Sequence, residues 1–133
     1  MKKYKGLIIM LIISLCLFGG CNGERTKEET KISYEQITAQ QAKDLMEKET
    51  GYIIVDARTQ EEFEAGHIEG AVLIPEYEIS QRAEKELLDK DQLILVYCRS
   101  GRRSRIASQA LVDLGYTNVK EFGGIIDWPY EIV

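Results

Sequence analysis

Gln92-Leu93-Ile94-Leu95-Val96-Tyr97-Cys98-Arg99-Ser100-Gly101-Arg102-Arg103-Ser104 is the stretch on which the reading of this chain turns. Its first half is an unbroken apolar run, the pattern of a strand buried on both faces. Beyond it, Arg105 to Leu114 has helical spacing and is stopped by Gly115. A thiol therefore sits at a strand-to-helix turn, among Arg99, Arg102, Arg103 and Arg105. Turns of this kind point backbone N–H groups inward, and a helix N-terminus adds partial positive charge. Both favour a thiolate over a thiol. The expected chemistry is nucleophilic, on an anionic substrate or through an anionic intermediate.

Outward from this turn, strands and helices alternate. Ile32 to Tyr34 is expected as a first strand. Thr38-Ala39-Gln40-Gln41 is a capping box, and Ala42, Leu45 and Met46 form a helical stripe ending near Glu49. Tyr52 to Asp56 reads as a buried strand. Thr59-Gln60-Glu61-Glu62 starts a short helix running to Ala65 and stopped by Gly66. Ala71 to Ile74 is a strand closed by Pro75, and Ile79 to Leu88 a helix with Ala83, Leu87 and Leu88 inward. Asn118 to Phe122 is the last strand, followed by Gly123-Gly124 and a segment carrying Trp128. This order predicts an α/β fold with a mainly parallel five-stranded sheet flanked by helices on both faces. Sites in such sheets form at the carboxyl ends of strands, which puts Asp56 and Cys98 within reach of each other.

The first residues do not belong to that domain. Lys2, Lys3 and Lys5 form a basic start, and Gly6 to Phe18 is an apolar stretch of signal-peptide length, short for a membrane span. Leu17-Phe18-Gly19-Gly20-Cys21 resembles the lipobox of bacterial lipoproteins, which implies lipidation of Cys21; an uncleaved anchor with an incidental Cys21 is the alternative. Residues 1–20 are expected to be a lipoprotein signal peptide and 21–31 a polar linker, with 32–133 the domain. The expected location is the outer side of the cell membrane, held by lipid; more than one acyl chain is needed for stable anchoring. Of the chain's 3 cysteines, Cys16 would be removed and Cys21 lipidated. Cys98 would remain as the one thiol of the domain, with no partner for an internal disulfide or a cysteine metal cluster. The formal charge is −5, and loss of Lys2, Lys3 and Lys5 makes it more acidic. That argues against nucleic acid and makes the arginine cluster a local exception.

Several motifs now coincide. Cys98 to Ser104 resembles the active-site loop of single-domain rhodaneses. Val55-Asp56-Ala57-Arg58, Glu61-Glu62-Phe63 and Gly66-His67-Ile68-Glu69-Gly70-Ala71, followed by Ile74-Pro75, are similar to the upstream signature of that family. Gly123-Gly124 with Trp128 is similar to its C-terminal signature. The chain departs after Trp128, where many members carry a longer helix. The resemblance implies sulfur transfer. The Cys98 thiolate takes sulfane sulfur from thiosulfate, a polysulfide or a persulfide, and passes it to a thiol or cyanide. It implies a small anionic donor and a small or protein thiol acceptor as partners, and no cofactor or metal.

The residues suit that chemistry. An anionic persulfide needs several donors, and Cys98, Arg99, Ser100, Gly101, Arg102 and Arg103 can curl their N–H groups around it, with Ser104 completing the loop. Gly101 permits a positive φ there. Arg99 and Arg102 are the candidates for gripping the donor. Arg103 and Arg105 are expected to contribute to the loop, to face solvent or to pair with local carboxylates. Asp56 and Arg58 are expected to form a partly buried ion pair bracing the turn. His67, the single histidine, reads as a hydrogen-bonded scaffold residue rather than a base. Trp128 reads as packing, and the Glu-rich stretches 61–64 and 84–86 as solvated faces. Three other readings compete. A phosphatase on this fold needs Cys-x5-Arg, but Ser104 holds that place. A binding module of this fold often lacks the cysteine. A thiol redox protein needs a Cys-x-x-Cys.

Overall fold

The computed structural model describes residues 33–133. Five strands, β1 (Glu35–Gln36), β2 (Ile53–Asp56), β3 (Val72–Leu73), β4 (Ile94–Cys98) and β5 (Val119–Gly124), form one sheet in the order β1-β5-β4-β2-β3. Every pairing is parallel, so the expected mainly parallel sheet is wholly parallel. The helices are α1 (Ala39–Lys48), α2 (Gln60–Glu64), α3 (Ile79–Glu86) and α4 (Arg102–Asp113), with 3-10 turns at Glu76–Glu78 and Ile125–Asp127. The expected signal peptide and linker, with Cys21 and Ile32, lie outside the described residues.

β4 is central because nothing in it wants water. Its residues from Ile94 to Cys98 are all buried. Strand alternation sends Ile94, Val96 and Cys98 to one face, where they pack with Ala83 of α3 and Ala107 and Leu111 of α4. Leu95 and Tyr97 point to the other face, against Ala42 of α1, Ile68, Phe122 and Trp128. Full burial of each such Leu, Ile or Val is worth about 1.5–3 kcal/mol, so both faces hold the strand whose end carries Cys98.

The helix starts follow from their caps. The Thr38 hydroxyl accepts from Gln41 N at 3.1 Å, while Gln41 Oε1 accepts from Thr38 N at 2.9 Å. Thr59 accepts from Glu62 N at 3.3 Å. Several boundaries move by a residue or two, β5 running on through Gly123 and Gly124 rather than ending at Phe122, and three differences affect the core or the site. The first strand is Glu35–Gln36 rather than 32–34, held at the edge by Ile37 N donating to Glu121 O at 2.9 Å. Helix α3 ends at Glu86 because Leu87 leaves helical geometry (φ −113°, ψ 83°). Leu87 fills the core, and the expected inward Leu88 is instead 82% exposed. Helix α4 begins at Arg102, not Arg105, because Gly101 turns the chain in the left-handed region at φ 113° and helical geometry starts at once. The last point matters for the site, since it brings the first amides of α4 next to Cys98.

Candidate active site

Cys98 ends β4 with 1% exposure. The chain then passes over it through exposed Arg99 and Ser100 and turns at Gly101, so that Gly101 N donates to Cys98 Sγ at 3.0 Å. The Cys98 thiol lies 3.3 Å from Ser104 Oγ, one turn into α4. Burial pushes the thiol pKa up. The Ser104 hydroxyl and the amides of Ser104, Gly101 and Ser100 outweigh it, and the net shift is below the ordinary cysteine value. The α4 N-terminus adds to the effect. The expected curled loop with a left-handed Gly101 is present.

The loop rests on β5. Cys98 pairs with Gly124, and Ile126 N donates to Arg99 O at 3.3 Å. A β-carbon on Gly124 would lie 2.5 Å from Ser100 Cα and would overlap the Arg99 carbonyl. The second glycine of Gly123-Gly124 is thus a spacer for the loop. Gly124→Ala is expected to cost about 1–3 kcal/mol or more through overpacking, and to displace the Gly101 amide from Sγ. Urea unfolding checks the first effect and the pH dependence of Cys98 alkylation the second, its midpoint moving up; an unchanged midpoint would reject the spacer role.

The arginines divide. Arg103 forms a two-armed pair with Glu62 at 2.7 and 2.8 Å, in the bidentate geometry characteristic of the guanidinium. Hydrogen bonding to Arg103 outweighs burial and lowers the Glu62 pKa to about 2. Glu62 is therefore no part of a merely solvated acidic face, and the Arg103 side chain is committed to bracing α4 against α2. Arg99, Arg102 and Arg105 are exposed and form no ion pair among the described residues.

Asp56 and Arg58 make the expected pair, and it is more deeply buried than expected, at 0% and 5% exposure. Arg58 Nη2 donates to Asp56 Oδ2 at 2.7 Å and to Gly66 O at 2.7 Å, and Arg58 Nε lies 3.0 Å from Oδ1. Tyr97, opposite Asp56 in the β2–β4 register, donates its hydroxyl to Oδ2 at 2.5 Å. Burial and the Asp56 carboxylate drive the Tyr97 phenol well above its ordinary range. His67 is held by its ring and its backbone: Nδ1 is 2.9 Å from Phe63 O, the ring stacks on Phe63 at 3.7 Å, and its backbone exchanges two hydrogen bonds with Val133. Trp128 is 9% exposed and packs with Phe122 and Tyr130.

One site residue escaped the sequence reading. Glu121 of β5 is 3% exposed, accepts from Ser104 Oγ at 2.6 Å and from Gly123 N at 2.8 Å. The available signal was alternation: Glu121 shares the face of Val119, which is core, so an acid stands at an inward position.

The fold is a parallel α/β sheet with a thiol at a strand end, its pKa lowered by a hydroxyl and by loop amides. The family model for the rhodanese-like domain matches residues 38–129, and the chain belongs to that family. It is 37% identical over 73 residues to thiosulfate sulfurtransferase PspE of Escherichia coli (strain K12), a match covering 55% of this chain and 70% of that one. It is 34% identical over 92 residues to adenylyltransferase and sulfurtransferase UBA4 of Meyerozyma guilliermondii, where 64% of this chain matches only 22% of the longer protein. Among solved structures it is similar to "rhodanese with anions from E. coli", with TM-score 0.59 and 34% identity over 62% of this chain and 98% of that one.

Proposed function

We propose that this protein is a sulfurtransferase that carries sulfane sulfur as a persulfide on Cys98. The observation that carries the reading is the Cys98 thiol, shifted toward thiolate by Ser104 and by the amides of its loop, in a loop with exposed Arg99 and Arg102. The thiolate attacks the outer sulfur of thiosulfate. The sulfur–sulfur bond of the donor breaks, and sulfite leaves with the electron pair. An acceptor thiolate then attacks the outer sulfur of the persulfide, and the Cys98 thiolate leaves. Arg99 and Arg102 attract the dianionic donor, Gly101 sets the turn, and Ser100, Gly101 and Ser104 donate to the sulfur anion. Asp56, Arg58 and His67 support the loop from behind, with Arg103 assigned to the same bracing role. The activity for which the PspE relative is named supports thiosulfate as donor.

Mass spectrometry after thiosulfate treatment is expected to find one added sulfur, on the peptide containing Cys98. An unmodified Cys98 peptide, together with hydrolysis of a phosphate ester, would overturn the reading.

The place of action is inferred from residues 1–21. Lys2, Lys3 and Lys5, the apolar stretch from Gly6 and the Gly19-Gly20-Cys21 sequence support export and lipidation at Cys21, with 21–31 as a tether. Cys21→Ala is expected to release the protein from the membrane fraction or to leave an unprocessed precursor. Retention at mature size would reject the lipid anchor.

A further inference from the structure

Ser104 has one hydroxyl proton and several acceptors around it. Glu121 Oε1 is nearest at 2.6 Å, then Gly101 O at 3.0 Å and Gly123 O at 3.4 Å. The Cys98 thiol, in turn, donates toward Ser104 Oγ across 3.3 Å. With Cys98 protonated the pattern is complete: thiol to Ser104, Ser104 to carboxylate. Ionising Cys98 breaks it. A thiolate needs the Ser104 proton as a donor. If that proton turns to sulfur, two acceptor oxygens face each other at 2.6 Å, which is tenable only with a proton between them.

The surroundings make a second charge expensive. Glu121 is 3% exposed and forms no ion pair among the described residues. The nearby cation, Arg105, brings Nη2 to 3.5 Å from where a β-carbon of Gly101 would stand, and Glu121 Oε1 is 4.0 Å from the same point; the two do not bond. On the α2 side, Arg103 is engaged by Glu62. The Cys98 sulfur and the Glu121 carboxylate reach the same Ser104 hydroxyl, which has one proton to give, so a second proton shared along the chain avoids two adjacent anions.

We propose that Glu121 is the proton acceptor for Cys98, acting through Ser104. The inference rests on the sulfur-transfer reading and deepens it. As the Cys98 S–H bond breaks, its proton passes to Ser104 Oγ. The former Ser104 proton passes to Glu121 Oε1, forming a neutral carboxyl. One negative charge moves from Glu121 to sulfur, nothing is oxidised, and the charge of the closed site does not change. The thiolate then attacks the donor. The persulfide keeps the negative charge at Cys98 after sulfite has gone, so the proton stays on Glu121. It returns along the same path once the outer sulfur has been handed on and Cys98 is protonated again. Glu121 touches neither donor nor Sγ; it is a positioning residue for the proton and for Ser104.

Infrared difference spectroscopy on the full chain tests this. One sample is converted to the Cys98 persulfide with thiosulfate. The other is capped with methyl methanethiosulfonate as the neutral methyl disulfide, of similar size. Mass spectrometry confirms one adduct on the peptide containing Cys98 in each. The persulfide-minus-capped spectrum is expected to gain a protonated-carboxyl band that shifts in D2O, at the expense of a carboxylate band. Glu121→Gln, which keeps an oxygen for Gly123 N and Ser104, is expected to abolish it. Ser104→Ala, which leaves the carboxylate but cuts the link, is expected to abolish it as well. A confirmed persulfide with no such band, or a band that survives in Glu121→Gln, overturns the relay and leaves sulfur transfer standing. A methyl disulfide without any thiosulfate adduct overturns sulfur transfer itself and the relay with it.

Discussion

Cys98→Ser is expected to lose sulfur transfer completely while the domain stays folded. The serine oxygen sits where Gly101 N now donates at 3.0 Å, and it has Ser104 Oγ as a partner, so no buried polar atom is orphaned. What fails is ionisation. The loop amides and Ser104 bring a thiol below its ordinary range against the opposing effect of burial. The same donors act on a hydroxyl whose own pKa lies far higher, and each unit of shortfall costs about 1.36 kcal/mol of reactive anion. The oxygen is also unable to hold a persulfide. Two measurements check this: thiocyanate formation from thiosulfate and cyanide should fall to background, and the unfolding midpoint should stay close to wild type. Transfer above background would move the sulfur-carrying role away from this residue, and Cys98 is the one free cysteine among the described residues.

The largest stability effect is expected at Arg58. Its side chain lies against Asp56, which is 0% exposed, and it supplies most of the donors to that carboxylate, with the Tyr97 hydroxyl and the Arg58 amide providing the rest. Arg58→Ala leaves a buried carboxylate without its counter-charge and orphans Gly66 O, which Arg58 Nη2 now reaches at 2.7 Å. Breaking a buried pair from one side costs about 3–5 kcal/mol, a large part of the roughly 5–15 kcal/mol that holds a domain together. Equilibrium urea unfolding should show the loss as a lower midpoint with an unchanged slope. The paired change Asp56→Asn with Arg58→Met removes both charges and should recover part of it. A loss in Arg58→Ala below about 1 kcal/mol, small beside the cost of breaking a buried pair, would mean that water or Tyr97 already satisfies Asp56 and that the pair does not brace the sheet end.

The two sites share one construction. β2 and β4 lie side by side, with Asp56 opposite Tyr97, and each strand ends in a buried residue with an ionisable side chain. Asp56 is neutralised by an arginine two residues on, whereas Cys98 is answered by amides and a hydroxyl. The first arrangement ties the end of β2 to Gly66 through Arg58. The second leaves a sulfur atom that is buried, with its pKa lowered, and followed in the chain by exposed Arg99 and Arg102, which form no ion pair among the described residues. Arg103 shows the difference local context makes: one residue from Arg102, it is spent on Glu62, and the loop keeps its helix in place by that means.

The alternation of strands and helices, the parallel sheet and the place of the Cys98 thiol at a strand end were all legible in the linear chain, because they depend on local patterns. Ile94 to Tyr97 is apolar without interruption, Thr38 and Thr59 cap their helices with residues three positions away, and Cys98 lies between a strand and a helix whatever else the chain does. The turn at Gly101 was legible for the same reason, since a positive φ is a property of one residue.

Which charges are free was settled by the folded arrangement alone. That Arg103 meets Glu62, that Gly124 lies under the Arg99 carbonyl and that Glu121 closes on Ser104 are contacts between segments far apart in the chain. Their partners depend on strand order and register, which no short window contains. Alternation is able to give Glu121 a face but not a neighbour. Register set Gly124 beside Cys98 and left Glu121 on the same face as Val119, and the Ser104 hydroxyl is what links that carboxylate to the thiol.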